Sequence, residues 1–137
     1  MRVIYTAYVL DNPSKNENVP APYGWKRYFH HQTVKFGDQK VPSNLGQAAI
    51  VEFGNIYADD KCVCVETQVK LRDPSRPALV DGPIGHITIA TNGVAPKYSN
   101  EIVGKEEYRK GKSHLGYMTA RLKAFVVDDE THPAYWI

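Results

Sequence analysis

The sequence predicts a β-rich α+β fold, a single domain over residues 1–137 with few short helices. Three observations predict it. Runs rich in β-branched and aromatic residues recur along the whole chain. Clusters of Gly, Pro, Asn, Asp and Ser separate them. Only one stretch, from Ser99 to about Lys110, reads as a helix of any length.

Taken in order, residues 2–10 form a first strand, loosely alternating and rich in Val, Ile and Tyr. The stretch 11–24, "DNPSKNENVPAPYG", is a loop. Residues 26–36, "KRYFHHQTVKF", read as one continuous strand closed by Gly37-Asp38. "PSNLGQA" offers one helical turn. Residues 48–56 and 61–71 are two strands, and "YADDK" between them supplies the turn of a hairpin. A Pro- and Gly-bearing loop fills 72–85. Residues 86–91 form another strand. In the polar segment 92–116 a short helix is expected over 99–110, with Ser99 as its N-cap and Gly104 weakening its interior. Residues 117–128 form a last strand, or a strand preceded by a turn of helix, before the tail Tyr135-Trp136-Ile137.

Composition narrows the classes of function. At 137 residues and 15.4 kDa the chain is long enough to bury a core. A net charge of +2 argues against a general duplex-DNA binder, which carries a large basic excess, and leaves room for a small anionic ligand or a short single strand. No apolar run approaches the ~20 residues that cross a bilayer, and the opening residues have neither the length nor the cleavage site of a signal peptide. Cys62 and Cys64 flank one valine, a spacing at which strand neighbours rarely bridge. They fit buried thiols in a reducing, cytoplasmic setting. No further ligands stand at a zinc spacing around them. There is no Gly-x-Ser-x-Gly elbow, and "GPIG" lacks the Lys and Ser/Thr of a phosphate loop.

One pattern stands out. The segment 26–36 contains "HQTV" and the strand 86–91 contains "HITI". Side chains alternate across a strand, so His31 shares a face with Thr33, and His86 with Thr88. Ile87 and Ile89 would then point into the core. A lone His-x-Thr on a strand has an ordinary explanation as a solvent-facing pair. Two copies in matching strand context are much harder to ascribe to accident.

In "HHQTVKFG" and "GHITIAT" the chain resembles the 2H phosphoesterase superfamily, which includes LigT-like RNA phosphodiesterases, cyclic phosphodiesterases of RNA repair and phage enzymes that cleave cyclic oligonucleotide signals. The resemblance implies two pseudo-symmetric antiparallel sheet lobes around a central cleft, with one motif from each lobe facing it. It implies catalytic roles for His31, Thr33, His86 and Thr88. It also implies a metal-independent phosphodiesterase acting on a 2′,3′-cyclic phosphate, a 2′–5′ linkage or a cyclic oligonucleotide, with His31 as acid and His86 as base. The helices that brace each lobe in that superfamily are not legible here, and the loop 11–24 stands where the first would be. The chemistry suits the residues. Histidine gives or takes a proton near neutral pH. Threonine hydroxyls can donate to the non-bridging oxygens where charge gathers.

Substrate recognition is expected from aromatic faces that stack on bases, with Tyr5, Trp25, Tyr28 and Trp136 as candidates. The expected partner is a nucleotide, a short RNA or a cyclic oligonucleotide, with no cofactor, no metal, no membrane and no duplex DNA. His30 should face away from His31 if the strand is regular, and His114 and His132 fall in irregular segments. The rival reading is a non-catalytic nucleotide-binding or host-interaction module on the same scaffold, such as a viral counter-defence protein. In an enzyme all four motif side chains converge on one site. In the rival, one of them points away or is blocked.

Overall fold

The computed structural model describes residues 2–12, 21–37, 40–71, 84–128 and 133–137. Their strands are β1 (Arg2–Leu10), β2 (Lys26–Arg27), β3 (His31–Phe36), β4 (Ala48–Ala58), β5 (Cys62–Leu71), β6 (His86–Thr91), β7 (Arg109–Lys112), β8 (Tyr117–Val127) and β9 (Tyr135–Trp136). They form one antiparallel sheet in the order β2-β6-β5-β4-β8-β1-β3, with β7 on β4 and β9 on β8. The β-rich architecture with few helices is as the sequence predicts.

The sheet reads as two halves of like order. One half runs β3-β1-β8 and the other β6-β5-β4, and they meet where β8 pairs with β4. Each motif strand therefore lies two strands out from the junction. The lobes are continuous through the junction, where the small residues Ala49 and Ala120 stand opposite each other. The β4–β5 hairpin closes on Asp59, whose Oδ1 accepts from the backbone N–H of Lys61 (2.8 Å) and Cys62 (2.9 Å).

Alternation sets the burial of the motif strands. In β6 the ring of His86 and the hydroxyl of Thr88 are half-buried, while Ile87 and Ile89 are buried in the main core with Val65, Phe53 and Leu122. In β3 the half-buried His31 and Thr33 alternate with buried Gln32 and Val34. Cys62 and Cys64 are buried free thiols on the opposite side of β5, packed with Tyr57, Ile102 and Val103. Burial pushes the Cys62 thiol up to about 12, with Asp59 adding to the effect, so it is inert as a nucleophile.

Two expectations are corrected. The strand expected over 26–36 is broken at residues 28–30. Phe29 adopts a left-handed backbone (φ 48°), a conformation costing an ordinary residue about 1–2 kcal/mol. Burial of its ring against Phe53 offsets that cost (centroids 5.5 Å). The break lets one stretch of chain serve both ends of the sheet. Tyr28 and Phe29 N–H donate to Ile89 O (2.8 Å) and Thr88 O (2.9 Å) of β6, whereas His30 O accepts from Leu10 N–H of β1 (3.0 Å). The helix expected over 99–110 is instead a 3₁₀ helix, Pro96–Glu101, and a 3₁₀ turn, Glu106–Tyr108, followed by β7. Pro96 starts the first at its N-terminus, so Ser99 lies inside it rather than capping it. Gly104 takes φ 78°, which ends helical geometry, and a Cβ there would collide with Ile84 Cδ1.

"PSNLGQA" holds a turn at residues 43–46 that is not helical, in place of the helical turn expected. Most of the loops expected over 11–24 and 72–85 lies outside the described residues, as does His132. No helix among the described residues is long and apolar enough to cross a membrane.

Candidate active site

The two motif strands stand at far ends of the sheet order, yet β3 and β6 approach each other. Residues 26–30 run from β6 to β1 and draw the ends together. Between them lies a cavity of about 520 Å³. His31, Thr33, His86 and Thr88 all line it. Both His-x-Thr pairs thus border one shared space.

The His86 imidazole is held on both nitrogens. Its Nδ1 lies 2.8 Å from Ile84 O, and a carbonyl can only accept, so Nδ1 carries the hydrogen. That leaves Nε2 of the neutral ring as an acceptor, and it takes the Ser99 hydroxyl at 2.7 Å. The Thr88 hydroxyl donates towards Pro96 O (3.0 Å) and Ser99 Oγ (3.1 Å). The 3₁₀ helix thus rests on the second motif. Its other anchor is Tyr98, whose hydroxyl donates to Asp59 Oδ2 at 2.6 Å. That bond pushes the Tyr98 phenol up to about 12. Because Asp59 also closes the β4–β5 turn, Ser99 is tied to the hairpin beneath it.

His31 sits in an aromatic box. Tyr5 stacks on it (5.4 Å, 28°), and Trp136 meets it nearly edge-on (5.4 Å, 62°). Trp136 also packs on Tyr5 and Phe125, and Phe36 packs on Tyr5. Burial is the main reason that the His31 pKa falls to about 4, and neighbouring His30 adds to it. His31 is therefore neutral at pH 7 in the ligand-free site. His30 lies at Nδ1···Nδ1 3.0 Å from His31 and lines the same cavity. The expectation that His30 faces away is corrected: strand alternation does not apply where Phe29 turns the backbone. The pKa of His30 is also lowered, by burial first and then by Lys123.

Under the motifs, buried Gln32 accepts from the Thr67 hydroxyl of β5. A Cβ on Gly85 would come within 2.9 Å of Gln32 Nε2. Gln32 thus packs β3 against the residue just before His86.

Of the aromatic candidates, Tyr5, Tyr28 and Trp136 line the cavity, and Lys26 Nζ lies 5.4 Å from the Tyr28 ring centroid. Trp25 is not brought there. It packs half-buried against the main core, because the turn at 22–25 precedes β2 and directs it inward. The sequence reading missed Ser99, Lys97, Asn100, Phe36 and Phe125, which line the cavity as well. Phe36 falls within "HHQTVKFG" but shares neither of its polar positions; the others belong to no motif, and "APKYSN" carries no local signal beyond its proline. Among the described residues, no group of three His, Cys, Asp or Glu side chains could hold a metal ion.

A family model described as fungal tRNA ligase phosphodiesterase domain matches residues 13–128, a stretch that contains both His-x-Thr motifs. No curated protein and no solved structure matches the chain.

Proposed function

The chain belongs to the fungal tRNA ligase phosphodiesterase domain family, and from that premise we propose that it hydrolyses the 2′,3′-cyclic phosphate of an RNA end by acid/base catalysis between His31 and His86. The observation that carries this reading is the convergence of both His-x-Thr pairs on one cavity.

The surroundings of each histidine support its role. Tyr5, Phe36, Phe125 and Trp136 gather on the His31 side, where a base and its ribose would pack. The leaving oxygen belongs to that ribose. In-line displacement brings the attacking water from the opposite side, where His86 stands. His86 Nε2, which carries no hydrogen because Nδ1–H donates to Ile84 O, takes a proton from water as its oxygen bonds to phosphorus. One P–O ester bond to the ribose breaks, and the leaving oxygen takes the proton on His31 Nε2. Thr33 and Thr88 donate to the non-bridging oxygens. An incoming oxygen competes with Ser99 for Nε2 and with Pro96 O for the Thr88 hydroxyl. Burial holds His31 neutral; the negative phosphate favours its protonated form, so substrate itself loads the acid.

The test is cleavage, in EDTA, of RNA ending in a 2′,3′-cyclic phosphate, beside 2′–5′ linked and cyclic oligonucleotides. Turnover of the cyclic end with a bell-shaped pH profile, lost in His31→Ala and His86→Ala, is the expected result. Binding without turnover would favour the nucleotide-holding alternative. Cleavage that survives loss of both histidines would refute the mechanism.

A further inference from the structure

The mechanism asks His31 to donate a proton from a position that disfavours charge. The ring is walled by Tyr5 and Trp136 and lies among apolar groups. An acid that cannot hold charge is a poor acid unless the charge sits elsewhere. His30 is placed to hold it.

The left-handed Phe29 puts His30 on the cavity side, next to His31 rather than behind it. The two Nδ1 atoms are 3.0 Å apart. A hydrogen bond between two imidazole nitrogens contains one hydrogen, so the pair has a fixed capacity. With no added proton, one ring donates and the other accepts. With one added proton the bond persists, and the charge belongs to either ring according to which Nδ1 holds the shared hydrogen. A second added proton would set N–H against N–H and break the bond. Trp136 lies against both rings (centroids 5.5 and 5.4 Å) and walls the pair on one side. Among the described residues, the other charged or titratable groups near the pair include Lys123 of β8, which opposes charge on His30, Tyr5 of β1, and Lys97 and His86, which line the same cavity.

We propose that His30 and His31 act as one acid, His30 carrying the positive charge through the Nδ1–Nδ1 hydrogen bond while His31 presents Nε2–H to the leaving oxygen. The proposal rests on the hydrolytic reading above. Before transfer, His30 holds hydrogens on both nitrogens and its Nδ1–H donates to His31 Nδ1. As the P–O bond breaks, the His31 Nε2–H bond breaks and an O–H bond forms on the ribose. The shared hydrogen moves from His30 Nδ1 to His31 Nδ1. Both rings end neutral, the pair has lost one proton, and the leaving oxygen has gained it. A solvent proton at His31 Nε2, followed by return of the shared hydrogen to His30, restores the acid. His30 is thus a positioning and charge-holding residue.

The test variant is His30→Asn. Its amide N–H can donate to His31 Nδ1 and keep the ring oriented, but the amide cannot take up the proton. On the cyclic phosphate substrate, kcat at pH 7 should fall about tenfold or more, and the descending limb of the pH profile should move to lower pH. On a substrate with a nitrophenolate leaving group, which needs no protonation, kcat should stay near wild type. An equal loss on both substrates, with an unmoved limb, would make His30 merely structural and overturn the proposal. Nitrogen NMR of the imidazoles in the ligand-free protein gives a readout that needs no turnover. One proton taken up jointly by His30 and His31, with the shared Nδ1 hydrogen retained, is expected; two independent titrations would overturn the pair. Failure of wild type to cleave any substrate would instead overturn the hydrolytic reading and leave the NMR result to decide the pair.

Discussion

Replacement of His31 by Asn should change how stability depends on pH more than stability itself at pH 7. Burial lowers the His31 pKa from 6.5 to about 4. Above pH 6.5 the ring is neutral whether the chain is folded or not, and the full stability is present. Between 6.5 and about 4 the unfolded chain binds a proton that the folded chain refuses, so stability declines as pH falls. At about 1.4 kcal/mol per pH unit, the loss accumulates to about 3 kcal/mol by pH 4, an upper bound for a ring that reaches the cavity solvent. Urea unfolding of wild type and His31→Asn at intervals from pH 7.5 to 4.5 measures it. Carboxylates add their own acid sensitivity, so the quantity of interest is the difference between the two proteins. Wild type should lose more stability than the variant over this window, and a phosphate-bearing ligand should shrink the gap by stabilising charged His31. Parallel curves for the two proteins would refute the account of His31 as a histidine kept neutral by its box.

The remaining predictions concern the walls and floor of the cavity. Trp136→Ala should raise KM or weaken nucleotide binding by about 1–3 kcal/mol, the usual worth of one stacked base. Trp25→Ala should lower the melting temperature and leave nucleotide affinity unchanged, because Trp25 packs on the core; fluorescence titration and thermal unfolding separate the two. Gly85→Ala should destabilise by about 1–3 kcal/mol, since its Cβ meets Gln32 Nε2 at 2.9 Å and Thr67 O at 3.1 Å; unchanged stability would mean that β3 and β5 yield there. Ser99→Ala should cost about 1 kcal/mol of stability yet tighten nucleotide binding, because the hydroxyl on His86 Nε2 no longer competes. Weaker binding in a calorimetric titration would show that Ser99 holds the substrate instead.

How legible all this was depends on how local the signal is. β6 runs over 86–91 as expected because "HITI" alternates, with isoleucines buried and the polar pair on the other face. The β4–β5 hairpin was legible because Asp59 both breaks the strand pattern and caps the turn. The segment 26–36 was not, since its residues are good strand formers throughout. What breaks it is tertiary: Phe29 exchanges a favourable backbone for a place in the core. The 99–110 segment has a helix-like composition, but Pro96 and Gly104 leave room only for a short 3₁₀ helix. In the site, the His-x-Thr pairs were visible because two-residue periodicity encodes a shared face. Ser99 reaches His86 from a different element, and nothing in its neighbours says so. Trp25 and Trp136 are alike as residues; only the fold decides which one faces the cavity.

The partnership of β1 with β8 bears on the order in which a growing chain can assemble. β4, β5 and β6 are joined by sequential antiparallel pairings and can assemble as soon as residues 48–91 are available. The half that holds His31 cannot. β1 and β3 can meet early, but their strand ladder into the β4 half runs through β8, and Phe125 and Trp136 arrive with β8 and β9. Contacts spanning most of the chain form slowly. During synthesis the basic half of the machinery, with His86, would be in place while the acidic half still waits for its aromatic wall. A chain without β8 and β9 would hold one imidazole ready and no counterpart for it, and competence would come with those two strands.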